Sequence, residues 1–296
     1  MRNISLFVLI LILGYGQVWG CEVCGCAATG SMIGIMPQFK GNFISLGWRY
    51  SRFYASENLD NGTDYFHQAE ARLGLRVHPR LQVQVVMPYS INTHTAPTEK
   101  NSSHGPGDTW VMGDFTVLRS ADTSARMFRH YFAAGAGIKI PTGKFDPENQ
   151  KNPMPANFQM GSGSWDFLTH MFYNVRFRSW SLSADLTGRL NTVNADEYLF
   201  GNQLAGTTYI SYLLRSPSVN IMPFGGIYYE KLGRNVSESV YQYGTGGSGT
   251  YAMVGTELQT DHWGARISYT PHLASHYAGG EISGGDRINV NLSFIF

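Results

Sequence analysis

Beyond about the first forty residues, apolar and polar residues alternate with period two along most of the chain. Successive side chains of a strand point to opposite faces, so such alternation predicts strands with one greasy and one wet face. The last nine residues, INVNLSFIF, show it most clearly. Ile288, Val290, Leu292, Phe294 and Phe296 share one face; Asn289, Asn291 and Ser293 share the other. In NFISLGWRYS, Ile44, Leu46, Trp48 and Tyr50 oppose Ser45, Gly47 and Arg49. Ala69, Ala71, Leu73 and Leu75 oppose Gln68, Glu70, Arg72 and Gly74. Trp180, Leu182, Ala184, Leu186 and Leu190 oppose Ser181, Ser183, Asp185, Thr187 and Arg189. Phe132, Ala134, Ala136, Ile138 and Ile140 oppose Tyr131, Gly135, Gly137 and Lys139, and Trp263, Ala265, Ile267 and Tyr269 oppose Gly264, Arg266 and Ser268. The pattern predicts about twelve strands, near 42–54, 65–77, 80–90, 108–119, 129–140, 164–177, 179–190, 205–215, 218–231, 250–259, 262–271 and 286–296.

The connections mostly alternate long and short. HPR, RS, RSPS and TDH are tight, whereas the segments near 55–64, 90–107, 141–163, 191–204, 232–249 and 271–286 are long. Outer-membrane barrels join their strands by short turns at one end and long loops at the other. Each segment is near or above the ~9–11 residues that a tilted strand needs to cross the hydrocarbon. A closed barrel also pairs every strand edge where no water can. The expected fold is therefore all-β, a transmembrane antiparallel β-barrel of about twelve strands spanning 41–296. Trp48, Tyr50, Tyr54, Tyr65, Tyr89, Trp110, Tyr173, Trp180, Tyr212, Tyr229 and Trp263 fall mostly near strand ends, where interfacial girdles use them. A final strand closing on Phe296 resembles the signal by which outer-membrane barrels are recognised for assembly, so that machinery is an expected partner.

Composition fits a barrel better than a soluble enzyme: charged residues make up only 15%, aromatics 14%, and there are 34 glycines. A net charge of +1 provides no basic field for nucleic acid. The first twenty residues, with Arg2 ahead of the apolar run Ile4–Leu13 and Gly20 at a plausible cleavage point, read as a signal peptide. Residues 21–40 then form a periplasmic segment that holds all three cysteines, Cys21, Cys24 and Cys26. Three readings stay open there. Cys21 is a candidate for lipidation, since Val18 and Gly20 suit a lipoprotein cleavage box although Trp19 does not. The three thiols could bind Cu(I) or Zn(II), with Met32 or Met36 as further donors. Or two form a disulfide and one stays free, as an oxidising compartment allows. The odd count favours lipid or metal over a closed disulfide framework.

Three stretches carry a family resemblance: GPGDTWVMGDFTVLR (Gly105 to Arg119), AAGAGIKIPTGKF (Ala133 to Phe145) and GSGSWDF (Gly161 to Phe167). Together they resemble the meta-pathway phenol-degradation family of transporter-like outer-membrane barrels. In that family a Gly-Asp pair opens a strand, Pro-Thr-Gly ends the next, and a Gly/Ser-rich turn with an Asp opens the one after. Here these fall on Gly107 and Asp108, on Pro141, Thr142 and Gly143, and on Gly163 to Asp166. The CEVCGC head, with the strand that follows, also looks like Bacteroidetes-type barrels of this group. The family's name assigns no substrate, and no residue here reads phenol.

On the lumen side the pattern places Arg49, Glu70, Arg72, Lys139, Asp185, Arg189 and Arg266. Rings of charge tune which solutes pass a pore; in a narrow barrel the same residues can pair up and plug it. A twelve-stranded barrel is far narrower than a porin of ~16–18 strands. The expected role is passive passage of a small solute across the outer membrane, gated by the loop 141–163. The alternatives are a closed barrel anchoring a Cu- or Zn-handling cysteine segment, and a lipid-active barrel enzyme. No His-x-Ser-Asn-Gly run supports the enzyme; His67, His78, His94, His104, His262, His272 and His276 fall mainly in or near loops or turns, and His170 is the one placed inside a strand. The chain is read as a non-enzyme.

Overall fold

The alternating segments all form strands in the computed structural model of the chain, which describes residues 41–97, 100–120, 127–146 and 155–296. The strands are β1 (Phe43–Ala55), β2 (Thr63–His78), β3 (Leu81–Thr95), β4 (Lys100–Pro106 and Thr109–Arg119), β5 (Phe128–Ile140) and β6 (Asp166–Phe177). They continue with β7 (Trp180–Leu190), β8 (Gln203–Tyr212, then Leu214–Arg215), β9 (Asn220–Leu232), β10 (Gly247–Gln259), β11 (Trp263–Thr270, then His272–Tyr277) and β12 (Ile282–Ile295). Each pairs antiparallel with its neighbours in sequence. β12 returns to β1 along Phe43↔Ile295, Trp48↔Val290 and Ala55↔Ile282, closing a ring of twelve. The ring leaves no free edge, which is what a bilayer demands of a sheet. Among the described residues no helix is long and apolar enough to cross a membrane.

The two faces divide as the alternation predicts. Along β7 every second residue from Ser181 to Arg189 is buried or nearly so, while Trp180, Leu182, Leu186 and Leu190 are exposed. Ile44, Leu46, Val254, Ile267, Leu292 and Phe294 continue the exposed apolar outer wall. In water such a wall would drive aggregation; against lipid it is the matching solvent. The turn end of the barrel carries ring pairs at the surface, including Trp180–Tyr212 at 4.8 Å and Trp263–Phe294 at 5.1 Å between centroids. Trp110 departs from this scheme. It is buried inside the barrel, with the Arg72 guanidinium 5.5 Å over its ring, so it belongs to the lumen and not to a girdle.

The tight turns gather at one end with the last residue, where Asn42 and Phe296 exchange backbone hydrogen bonds. Arg178 takes a positive φ of 55° in the two-residue turn between β6 and β7. At the other end the strands run further than the apolar pattern. Residues 90–107, expected as a loop, continue β3 to Thr95 and return as Lys100–Pro106, paired from Thr95↔Lys100 to Tyr89↔Pro106. Much of 271–286 likewise extends β11 and β12. Beyond the hydrocarbon both faces meet water, so a strand there needs no apolar side and leaves no alternation to read. The histidines are corrected as well: His67, His78, His94, His104, His130, His272 and His276 lie in strands, not loops. Strand β6 begins at Asp166, two residues later than expected. The signal peptide, the segment 21–40 and Cys21, Cys24 and Cys26 lie outside the described residues.

Candidate functional site in the barrel lumen

A chain of polar contacts crosses the inner wall from β1 to β7. The Arg49 guanidinium donates to Glu70 at 3.0 Å, and Glu70 also accepts from Arg72 at 3.4 Å. Arg72 reaches Gln84 at 3.5 Å, and the Gln84 amide donates to Asp114 at 2.9 Å. His170 then bridges two carboxylates, Asp114 at 2.7 Å and Asp185 at 3.0 Å. These side chains are all buried. They sit at alternate positions on neighbouring strands, which is how a barrel wall lines up residues far apart in sequence. The chain can pass β5 because residue 135 is glycine: a Cβ there would stand 2.2 Å from an Asp114 carboxylate oxygen. Burying unpaired charges is very costly, so continuous pairing is the condition for holding them here.

The opposite wall is built differently. Arg287 of β12 makes a bidentate contact with Glu230 of β9, at 2.9 and 2.6 Å, and also donates to the Tyr251 hydroxyl at 2.7 Å. Tyr228 donates to Glu230 at 2.5 Å, and Tyr277 donates to the same carboxylate. On the same wall, across β10 and β11, Arg266 forms an ion pair with Glu257 at 3.5 Å and lies 4.2 Å over the Phe224 ring of β9.

Near the loop end the family motif makes a latch. Lys139, at the end of β5, donates to Asp108 at 2.8 Å and to Ser162, and forms an ion pair with Asp166 at 2.6 Å. Asp108 also accepts from the backbone N–H groups of Gly143 and Ser162, both at 2.9 Å. Thr142, after Pro141, accepts from the Thr109 N–H at 2.8 Å and donates to the Gly107 carbonyl at 3.0 Å. Asp166 accepts from Ser164 at 2.8 Å and from the Thr192 N–H at 3.1 Å. Gly143 and Gly161 touch backbone to backbone, where a Cβ on either would clash. The latch turns residues 155–165 into the barrel. Phe158 is buried there, 5.1 Å from the Phe66 ring, and its carbonyl accepts from Ser103 at 2.7 Å and Asn92 at 3.3 Å. Phe53, Phe66, Tyr277, Leu232 and Ile282 complete an apolar cluster with it across the loop end of the lumen. Beneath the inward segment lies a cavity of about 80 Å³ lined by Arg49, Lys139 and Arg189 among others.

All seven charged residues expected to face the lumen therefore do so. Arg49, Glu70, Arg72, Lys139, Asp185 and Arg189 are buried and Arg266 is half-buried. Sequence reasoning missed Asp114, the Glu230–Arg287 pair with its tyrosines, and Phe158. Strand parity would have found most of these: Arg287 shares its face with Asn289, Asn291 and Ser293. Phe158 has no such signal, because its segment follows no period. Among the described residues, no three His, Cys, Asp or Glu side chains are grouped to hold a metal ion.

Residues 39–259 match the family described as "Putative MetA-pathway of phenol degradation". The chain belongs to that family. The three stretches that carried the resemblance lie within the match, and two of its strand ends are held by the Asp108–Lys139 latch. No curated protein matches the chain. Among solved structures, an outer membrane channel from Pseudomonas putida F1 is similar over 86% of this chain and 96% of its own, at 13% identity and a TM-score of 0.66. The beta domain of the Bordetella autotransporter Brka is similar over 86% of this chain and 100% of its own, at 8% identity and a TM-score of 0.55. At these identities the likeness establishes the fold: the family barrel seen here shares its architecture with outer-membrane barrels.

Proposed function

We propose that this barrel is an outer-membrane channel for passive passage of a small solute. The observation that carries the reading is the inversion of the protein: a continuous apolar outside around an inside that holds paired charges, amides and hydroxyls. A barrel serving only as an anchor has no need of buried charge, which costs several kcal/mol per ion before pairing returns it. The similar channel of Pseudomonas putida F1 supports the same reading. The short turns, gathered with the last residue, face the periplasm in this orientation, and the long loops with the Lys139 latch face outward. Passage then requires the inward segment 155–165 to withdraw, since Phe158 and its neighbours fill the loop end of the lumen.

Conductance of the full-length protein in a planar bilayer tests this. Discrete openings are expected, and they should become more frequent in Lys139→Ala, which frees Asp108 and Asp166 from the latch. A correctly inserted barrel that stays silent in both forms would sink the channel reading.

A further inference from the structure

Charges outside the lumen are unevenly divided between the two ends of the barrel. At the turn end, four successive connections carry an exposed arginine: Arg80 between β2 and β3, Arg119 where β4 ends, Arg178 between β6 and β7, and Arg215 where β8 ends. Among the described residues none of these four is in an ion pair. The one exposed acid at this end among them is Asp261, in the turn between β10 and β11. The segment joining β4 to β5 adds one charge of each sign, Asp122 and Arg126. At the loop end cations stand beside acids instead: Arg52 lies 4.0 Å from Asp286 and Lys144 2.9 Å from Asp146. A solute filter would need the positive excess along its path, yet inside the barrel both signs are paired.

The arginines stand where the apolar wall stops. Val77, Leu118 and Leu214 are exposed within three residues of Arg80, Arg119 and Arg215. The Arg178 guanidinium lies 5.4 Å over the Phe177 ring, and that ring packs 5.0 Å from the ring of exposed Phe128. Arg119 leans 5.2 Å over the buried Tyr131 ring and is the least available of the four. An arginine at such an edge lays its stem along apolar surface and holds its head in the polar layer, where the planar fork matches a phosphate. Neighbouring strands are ~4.8 Å apart, so successive turns are about 10 Å or more apart along the rim. One small anion cannot bridge that spacing, whereas a row of lipid headgroups meets each arginine separately.

We propose that these turns bind the phosphate groups of anionic phospholipids in the leaflet facing the periplasm. The acyl chains lie against the apolar wall below the arginines. The choice of leaflet rests on the orientation given under the proposed function; the contact itself needs only the folded barrel.

Native mass spectrometry of the full-length protein tests it, in detergent with equal amounts of dioleoyl phosphatidylglycerol and dioleoyl phosphatidylcholine. Preferential retention of phosphatidylglycerol is expected. A basic residue at an anionic surface strengthens binding about fivefold, so Arg80→Gln, Arg178→Gln and Arg215→Gln together should cut retention by roughly tenfold or more. Arg52→Gln, Lys100→Gln and Lys231→Gln together remove the same charge from the loop end and should leave it unchanged. Heat-modifiable gel migration shows which variants are folded barrels. If the turn-end triple variant does not fold, Arg215→Gln is compared with Lys231→Gln. Equal losses in the two triple variants overturn the proposal. Equal retention of the two lipids by the wild type also overturns it, and leaves the basic arc to an acidic protein partner. An epitope inserted at Asp261 separates this contact from the orientation. Antibody reaching it in intact cells overturns the orientation and the leaflet together. A hidden epitope without preference for phosphatidylglycerol overturns the lipid contact alone.

Discussion

On β1 through β7 the inner wall is strung with charges that lean on one another through intermediaries, whereas on β9 through β12 one arginine and one glutamate are enclosed by tyrosines. In the first region Glu70 serves two arginines, Gln84 relays between Arg72 and Asp114, and His170 joins two aspartates. In the second, Glu230 receives both forks of Arg287 and two phenol hydroxyls. The difference teaches how a buried charge is made tolerable. A string offers its inner members a fallback partner on the next strand; the bidentate pair has only neutral tyrosine hydroxyls to fall back on, and its fork fixes one geometry.

Removing a carboxylate from each region sets the two designs against each other. Glu230→Ala leaves Arg287 buried with only a tyrosine hydroxyl to donate to. The loss should reach the upper part of the ~3–5 kcal/mol seen when a buried pair is broken. Asp114→Ala should fall at or below about 3 kcal/mol, because Gln84 keeps Arg72 and His170 keeps Asp185. Urea unfolding in lipid vesicles, followed by tryptophan fluorescence, reads both. A larger loss from Asp114→Ala would reverse the comparison. The apolar cluster at the loop end is a third, milder case. Phe158→Ala should cost about 2 kcal/mol, below the ~3–5 kcal/mol of a dry core, because water can reach the space from the loop end. The same variant should raise conductance, and unchanged conductance would show that Phe158 blocks nothing.

The latch should behave as one unit. A double-mutant cycle of Lys139→Ala with Asp108→Ala should give a coupling of about 1 kcal/mol or more, within the range for contacting residues. Additive losses would mean that the family motif serves its turns and not the latch. The smallest effect lies outside the membrane. Glu281, between β11 and β12, accepts from Ser56 and from Asn58 at 3.2 Å, and these donors hold its carboxyl below the ordinary carboxylate range. A lowered folded-state pKa stabilises above the unfolded value and loses that stability as pH falls through the folded one. The unfolding midpoint should therefore drop slightly more between pH 5 and 3 in the wild type than in Glu281→Gln. Identical pH profiles would show that the contact contributes nothing.

Much of the fold was legible because period-two alternation is a local property. Ser181 to Leu190 announces its two faces residue by residue, and the tight turns HPR, RS and TDH mark one end. The extended hairpin of residues 90–107 was not legible, since SINTHTAPTEKNSSHG is polar on both faces and lies where water bathes both. Trp110 was misplaced for a related reason. Its position near a strand end suggested a girdle, but its parity with Met112 and Asp114 turns it inward.

Alternation alone set the number of strands, the end that carries the turns, and the inward face of Arg49, Glu70, Arg72, Lys139, Asp185, Arg189 and Arg266. Only the tertiary structure decided which of those charges meet. Glu70 could have served any inward cation, and the choice of Arg49 and Arg72 follows from the register Gly47↔Glu70 and from barrel closure. His170 and Asp114 lie 56 residues apart and meet only because three consecutive strands align at that height. Alternation states a direction for each side chain, but contact across a lumen depends on stagger summed over many strand pairs, a quantity that no single strand contains.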